Sequence, residues 1–296
     1  DVCSSDLPLL KPKDVKINLG GNMGGETKKK GVQFFGGLTM NPRAALEHKG
    51  TFDAANEILS EEKFLSDYFL APEATSHQIE SLLRNLALCH SAQIEKGKYM
   101  TPYPVELSLL NFARLCRKDF TSVRKIEKKN DDAEFQYTLK EQDREEYFRI
   151  LGVNDFSYSR KRSSVIYQHN NQRAVIVSKG PAEGMKQALS LSPDEWKIYD
   201  SIVSGLEKEG LKVQVIAKKE LQDHERDDFI KKYKNYRDNI VYQGNELEEL
   251  ANTYEKGLSL VGIVALQDEL RPAATETIQL LRDADIKIWM VTGDNR

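Results

Sequence analysis

The sequence predicts an α/β chain: an α+β domain with an antiparallel sheet and flanking helices, followed by a partial parallel βαβ unit. Three observations carry this. Short strand candidates separated by turn signals fill residues 134–178. Helical stripes flank them, at 76–92 and from Pro104 before, and at 193–209 and 224–252 after. The pattern then changes, and an apolar run, a helix and a second apolar run close the chain.

The bounds agree with two domains. The chain has 296 residues, against about 150 per domain. Apolar residues make up 40% and charged residues 30%, which excludes a disordered or collagen-like chain. Lys+Arg 43 against Asp+Glu 46 gives a net charge of −3. That balance removes the main support for nucleic acid as a partner. Cys3, Cys89 and Cys116 are too scattered for a disulfide framework or a zinc cluster. The longest apolar run, Leu258–Leu266, falls well short of the roughly 20 residues a membrane helix needs.

Taken in order, residues 1–7 (DVCSSDL) fit no periodic element and read as a non-native remnant. Residues 8–74 are an irregular lead-in, Gly-rich over 8–50. GGNMGG at 20–25, followed by KKK, lacks the Gly-Lys-Ser/Thr ending of a phosphate loop and reads as a loop with solvated lysines. Phe34 and Phe35 between glycines mark a short strand. In the helix at 76–92, Ile79, Leu82, Leu83, Leu86 and His90 share one face. Pro104 opens the next helix at its first position, with Val105, Leu109, Phe112, Ala113 and Cys116 inward.

Strands are expected at 134–139, 145–151, 163–168 and 172–178, the last two joined as a hairpin by a His-Asn-Asn turn. LKVQVIA at 211–217 alternates like a half-buried strand. Residues 224–252 carry i,i+4 charge pairs and one apolar stripe of Phe229, Tyr233, Tyr236 and Ile240. Leu258–Leu266 reads as a parallel strand covered on both faces. A helix at 273–284 and a strand at Ile286–Val291 complete the βαβ unit, with a domain boundary near Lys256–Gly257. A domain ending one turn after a buried strand reads as an interior piece of something longer.

Two constellations carry chemistry. A right-handed crossover puts Asp268 and Thr292-Gly293-Asp294 at one sheet edge, where α/β sheets bind ligands. Two carboxylates, a hydroxyl and a glycine turn suit a phosphate with a divalent ion. The plainer alternative is two capped turns. The second constellation is Phe156-Ser-Tyr-Ser-Arg160-Lys161-Arg162, leading into a strand, with Lys179-Gly180 ending the paired strand. An aromatic beside cations suits a base and its phosphates. The alternative is an exposed basic hairpin edge that resists aggregation. The five histidines have no metal spacing, and no metal ligand is assigned.

In order, Phe156…Arg160-Lys161-Arg162…Val165, KGPAEG (179–184), GLKVQVIA (210–217), QDELRP (267–272) and IKIWMVTGDN (286–295) resemble the P-type ATPases. NLALCHS (85–91) and TPYPVELSLLNFAR (101–114) resemble the first helices of that family's nucleotide-binding domain. The resemblance covers about residues 75–296. It implies a nucleotide-binding domain at 75–256 and a truncated, HAD-like Rossmannoid phosphorylation domain at 257–296. RKR before the serine pair, the charged helix ending in ELEELANTYEKG, and IKIWMVTGD are most similar to the lipid-flippase branch. Pro181-Ala182-Glu183 and Arg271-Pro272 are closer to cation pumps, and Lys212 stands where the family usually has Arg.

The resemblance implies roles residue by residue. Phe156 would stack on adenine, with Ser157 beside it, and Glu106 would contact the base region. Lys161, Lys179 and Gly180 would line the nucleotide pocket, and Lys212 would face the phosphates. Thr292 and Gly293 would hold the γ-phosphate, with Asp268 and Asp294 beside it. ATP is the implied ligand, with Mg²⁺ held mostly by residues beyond this chain. The family's phosphorylated Asp, in an Asp-Lys-Thr-Gly motif, does not occur in this sequence. The chain is therefore expected to bind ATP without turning it over. Its parent would be a membrane protein moving a phospholipid, with this segment on the cytoplasmic side and an accessory membrane subunit as a possible partner. The alternatives are a cation-transporting relative, a non-catalytic nucleotide-binding module, and a soluble phosphatase sharing the phosphorylation-domain fold.

Overall fold

The computed structural model describes residues 15–16, 73–127, 133–141, 144–238, 245–266 and 273–291. The readings for the remnant at 1–7, the GGNMGG loop and Phe34–Phe35 lie outside the described residues. The chain divides into two compact units, Leu9–Gln267 and a second made of Asp1–Pro8 with Asp268–Arg296.

In the first unit, a two-residue strand β1 (Val15–Lys16) precedes helix α1 (Glu73–Leu88). The predicted stripe of α1 is its buried face, with Ile79, Leu82, Leu83 and Leu86 sealed from solvent. Lys96 and Gly97 both take positive φ, the geometry of a tight hairpin turn. They join β2 (Gln93–Glu95) to β3 (Lys98–Met100). Pro104 opens α2 (Pro104–Leu115), where a missing N–H costs nothing.

Strands β4 (Asp119–Glu127), β5 (Ala133–Glu141), β6 (Arg144–Ser157), β7 (Arg162–His169) and β8 (Val175–Pro181) then form a meander. A short turn of helix, α3 (Ala182–Met185), follows. Helix α4 (Pro193–Lys208) starts on a capping box in which Ser192 and Glu195 each bond the other's backbone N–H. Strand β9 (Lys212–Glu220), helices α5 (Asp223–Asp238) and α6 (Asn245–Tyr254), and strand β10 (Ser259–Leu266) complete the unit.

The strands pair antiparallel throughout, in the order β1-β10-β9-β8-β7-β6-β5-β4. Helices α1 and α2 cover one face, packing Leu83, Leu109 and Phe112 with Phe148, Val165 and Val177. Helices α4, α5 and α6 cover the other, packing Tyr199, Phe229 and Leu250 with Ile166, Ile176 and Val215. Period-2 alternation sends Val165 to one core and Ile166 to the other.

This three-layer arrangement corrects one reading. Ser259–Leu266 is not the first strand of a parallel βαβ unit. It pairs antiparallel with β9, from Lys212↔Leu266 to Lys218↔Ser259. A near-continuous apolar run marks a strand covered on both faces, and here helices cover both faces of an antiparallel sheet. The run therefore reports burial, not strand direction.

In the second unit, α7 (Ala274–Asp283) forms close to its predicted bounds. Ile286–Val291 does not form the expected strand: Ile286 is 51% and Val291 95% exposed. A strand needs a hydrogen-bonded neighbour, and none pairs with it among the described residues. The parallel Rossmannoid unit is thus not formed by the described residues.

Candidate functional site

Antiparallel pairing gathers distant strand ends at one end of the sheet. Ser157 closes β6 opposite Arg162, which opens β7. Ser163 faces Lys179 near the close of β8, and Pro181 faces Gln214 near the start of β9, where Lys212 lies. Five of the predicted residues, Ser157, Lys161, Lys179, Gly180 and Lys212, therefore meet at this end, with Phe156 adjoining.

A small cleft opens there, lined by Ser91, Glu106, Asn154, Asp155, Phe156 and Ser163 among others. It brings Glu106 and Phe156 together, although they lie on different elements. Phe156 is half-buried and meets Tyr158 edge-on, with ring centroids 5.8 Å apart. Tyr158 itself is fully out in solvent.

Glu106 sits in the first turn of α2 and is buried. Its Oε2 accepts from Ser91 Oγ at 3.2 Å, Thr101 Oγ1 at 3.0 Å and the Ser91 N–H at 3.4 Å. Lys179 Nζ lies 3.1 Å from its Oε1. Burial alone would raise the carboxyl, but the Lys179 ammonium and the Thr101 hydroxyl outweigh it and hold it below the usual glutamate value. Lys179 Nζ is fully buried against the Glu106 carboxylate.

Lys161 is exposed, sits at positive φ (51°), and pairs with Glu183 at 2.8 Å. The glycines of KGPAEG make room for this turn. A Cβ on Gly180 would lie 2.5 Å from the Lys161 carbonyl oxygen, and one on Gly184 would lie 2.4 Å from it. Their missing side chains clear space for the Lys161 backbone. Ser157 is also taken up by the loop: its hydroxyl donates to Glu248 Oε1 at 3.0 Å and accepts from the Arg160 N–H at 3.3 Å. Lys212 is half-buried at the start of β9 and is not part of the cleft wall.

The three cations of RKR do not act alike. Arg160 and Arg162 are buried, and both bond Glu255, Arg160 through Nη1 and Arg162 through Nε, each at 2.6 Å. They are neither an exposed basic edge nor free to neutralise phosphates, and Lys161 alone of the three faces solvent. Glu255 is entirely buried and also accepts from Ser164 Oγ at 2.6 Å. The sequence reading missed it, although a buried arginine pair demands a buried anion.

His90 was left unassigned, and it is a core residue beside the cleft. It stacks on Tyr137, its Nε2 pairs with the Ala87 carbonyl, and its Nδ1 accepts from the Ala92 N–H. Burial, helped by the nearby Lys179 charge, lowers its pKa to about 3. Asp268, Thr292, Gly293 and Asp294 lie outside the described residues. Among the described residues, no three His, Cys, Asp or Glu side chains gather to hold a metal ion.

A family model of the P-type ATPase cytoplasmic domain N matches residues 78–273. The chain belongs to this family. The match spans the two-faced sheet, the cleft and the RKR loop of this N domain. A phospholipid-transporting ATPase of Schizosaccharomyces pombe, dnf2, is 31% identical over 217 residues, covering 71% of this chain and 15% of that protein. The phospholipid-transporting ATPase DNF2 of Saccharomyces cerevisiae is 28% identical over 231 residues, 73% of this chain and 14% of that protein. The phospholipid-transporting ATPase neo1 of Schizosaccharomyces pombe is 26% identical over 277 residues, 88% and 25%. The chain thus spans a quarter or less of the length of these relatives.

Proposed function

We propose that this N domain is the ATP-binding part of a P-type ATPase that moves phospholipid across a membrane. The observation that carries the ATP reading is the cleft: a half-buried aromatic, Phe156, and a buried carboxylate, Glu106, share its lining, and Glu106 is paired with the buried Lys179. Phe156 offers a stacking face for adenine, and the Glu106 carboxylate offers an acceptor to an exocyclic amine. Lys179, Lys161 and Lys212 share the sheet end along which the phosphates would run. Phospholipid as cargo is supported by the relatives, which are phospholipid-transporting ATPases.

Mg²⁺ would accompany the phosphates, and the described residues of this N domain supply no cage for it. Phosphoryl transfer needs an in-line carboxylate nucleophile, for which no residue here is matched. The chain's own work is therefore to bind and orient ATP. Domain closure in the parent would carry the bound nucleotide to the phosphorylation domain. Among the described residues, no helix is long and apolar enough to cross a membrane.

Amide chemical-shift mapping tests the ATP reading. ATP is expected to move resonances of 156–162 and 179–184 saturably. Shifts confined to other elements contradict it. The cargo is tested on the full-length parent, whose ATPase rate is expected to rise with added phospholipid. A rise with a transported cation instead would favour the ion-pump branch, to which Pro181-Ala182-Glu183 is closer.

A further inference from the structure

We propose that Glu255 is a positioning residue: its buried carboxylate, gripped by Arg160 and Arg162, sets where Phe156 in the cleft wall and Lys161 in the adjoining turn stand. The inference rests on the reading of that cleft as an ATP site.

Each bond to the network ends on a segment of the site. Arg160 Nη1 donates to Glu255 Oε1, and its Nη2 donates to the Asp155 carbonyl at 2.5 Å. One guanidinium thereby ties the carbonyl just before Phe156 to Glu255. Arg162 Nε donates to Glu255 Oε2, and its Nη1 donates to the carbonyls of Arg160 and Gly184 at 3.1 Å each. The Lys161 turn is thus fixed between two anchored arginines and tied to KGPAEG. Arg162 Nη2 donates to Asn252 Oδ1 at 2.7 Å, so the load passes to helix α6. The Glu255 carboxylate lies just past that helix, and Gly257 turns at φ 69° into β10.

Burial decides the role. Arg160, Arg162 and Glu255 are sealed from solvent, at 6%, 4% and 0% exposure, so none of them touches a nucleotide. Buried ion pairs contribute little net stability compared with apolar packing, because desolvation offsets their attraction. What they supply is direction, and these bonds converge on the two ends of one loop. A misplacement of about 1 Å at a binding group can cost roughly 100-fold in function.

The test uses the whole chain with Glu255→Gln and Arg160→Gln. Removing Glu255 strands two buried cations and can unfold the protein. Removing Arg160 leaves Arg162 and Glu255 charge-balanced, so R160Q keeps the test valid. Two quantities are read: amide hydrogen exchange over 156–162 without nucleotide, and ATP affinity in a double-mutant cycle of R160Q with Phe156→Ala. Exchange in the loop is expected to quicken about tenfold while α1 stays protected. Phe156→Ala is expected to cost about 5- to 150-fold in the parent sequence but under about twofold in R160Q. Unchanged loop exchange, or the same Phe156→Ala penalty in both backgrounds, overturns the proposal. If Phe156→Ala costs nothing even in the parent sequence, the adenine assignment is what fails, and loop exchange alone then decides for or against the positioning role.

Discussion

The Lys179 ammonium lies 3.1 Å from Glu106 Oε1, with both side chains buried. The pair links the end of β8 to the first turn of α2, whose Glu106 lines the cleft. Because Glu106 is held below its ordinary value of 4.5, its proton is bound more tightly in the unfolded chain. The pair's stabilisation is therefore full above about pH 4.5 and is lost as pH falls through the folded value. Urea midpoints for the parent sequence and Glu106→Gln are expected to differ by a constant amount above that pH and to converge below it. A gap that persists unchanged to pH 3 would mean that the carboxylate charge is irrelevant.

His90 titrates in a different window. Its value falls from 6.5 to about 3 on folding, so the neutral ring is the folded form. Between those values the unfolded chain binds the extra proton, and stability declines as pH drops. The slope from this one group approaches about 1.4 kcal/mol per pH unit. His90→Gln, which keeps a donor and an acceptor, is expected to flatten that slope between pH 6.5 and 3. The measurement is the unfolding free energy at half-unit pH steps, and an unchanged slope places the titration elsewhere.

Gly184 and Gly205 separate crowding from helix propensity. A Cβ on Gly184 meets the Lys161 backbone at 2.4 Å, whereas one on Gly205, inside α4, meets nothing within 4 Å. Gly184→Ala is expected to destabilise by about 1–3 kcal/mol through overpacking and to weaken ATP binding by shifting the Lys161 turn. Gly205→Ala is expected to stabilise by up to about 1 kcal/mol and leave ATP binding alone. Thermal unfolding of the two variants, read side by side, checks both signs.

Local patterns were legible where one physical signal decides. The stripe of Ile79, Leu82, Leu83 and Leu86 gave α1, and the turn after His169 gave the β7–β8 hairpin. Strand β4 was missed: FTSVRKIE mixes exposed charges with few apolar residues, since β4 is an edge strand. The direction of Ser259–Leu266 was misread because hydrophobic runs encode cover on both faces, not pairing sense. The charged stretch at 224–252 was read as one helix. It is two, and Phe229 and Tyr233 press on the β6 backbone, with the Tyr233 hydroxyl bonding both the N–H and the carbonyl of Val153.

Residue types pointed to Phe156 and Lys179, and the family resemblance to Glu106; the structure puts Phe156 and Glu106 in one cleft and pairs Glu106 with Lys179. That two of the three RKR cations are buried was not legible, because Glu255 is their partner only in three dimensions.

The most direct measurement is a calorimetric titration of ATP into the parent sequence and Phe156→Ala. Base–aromatic stacking contributes about 1–3 kcal/mol, so the variant should bind about 5- to 150-fold more weakly, with its thermal unfolding little changed. No saturable binding to the parent sequence, or equal affinity in the two proteins, would contradict the assignment of this cleft to ATP.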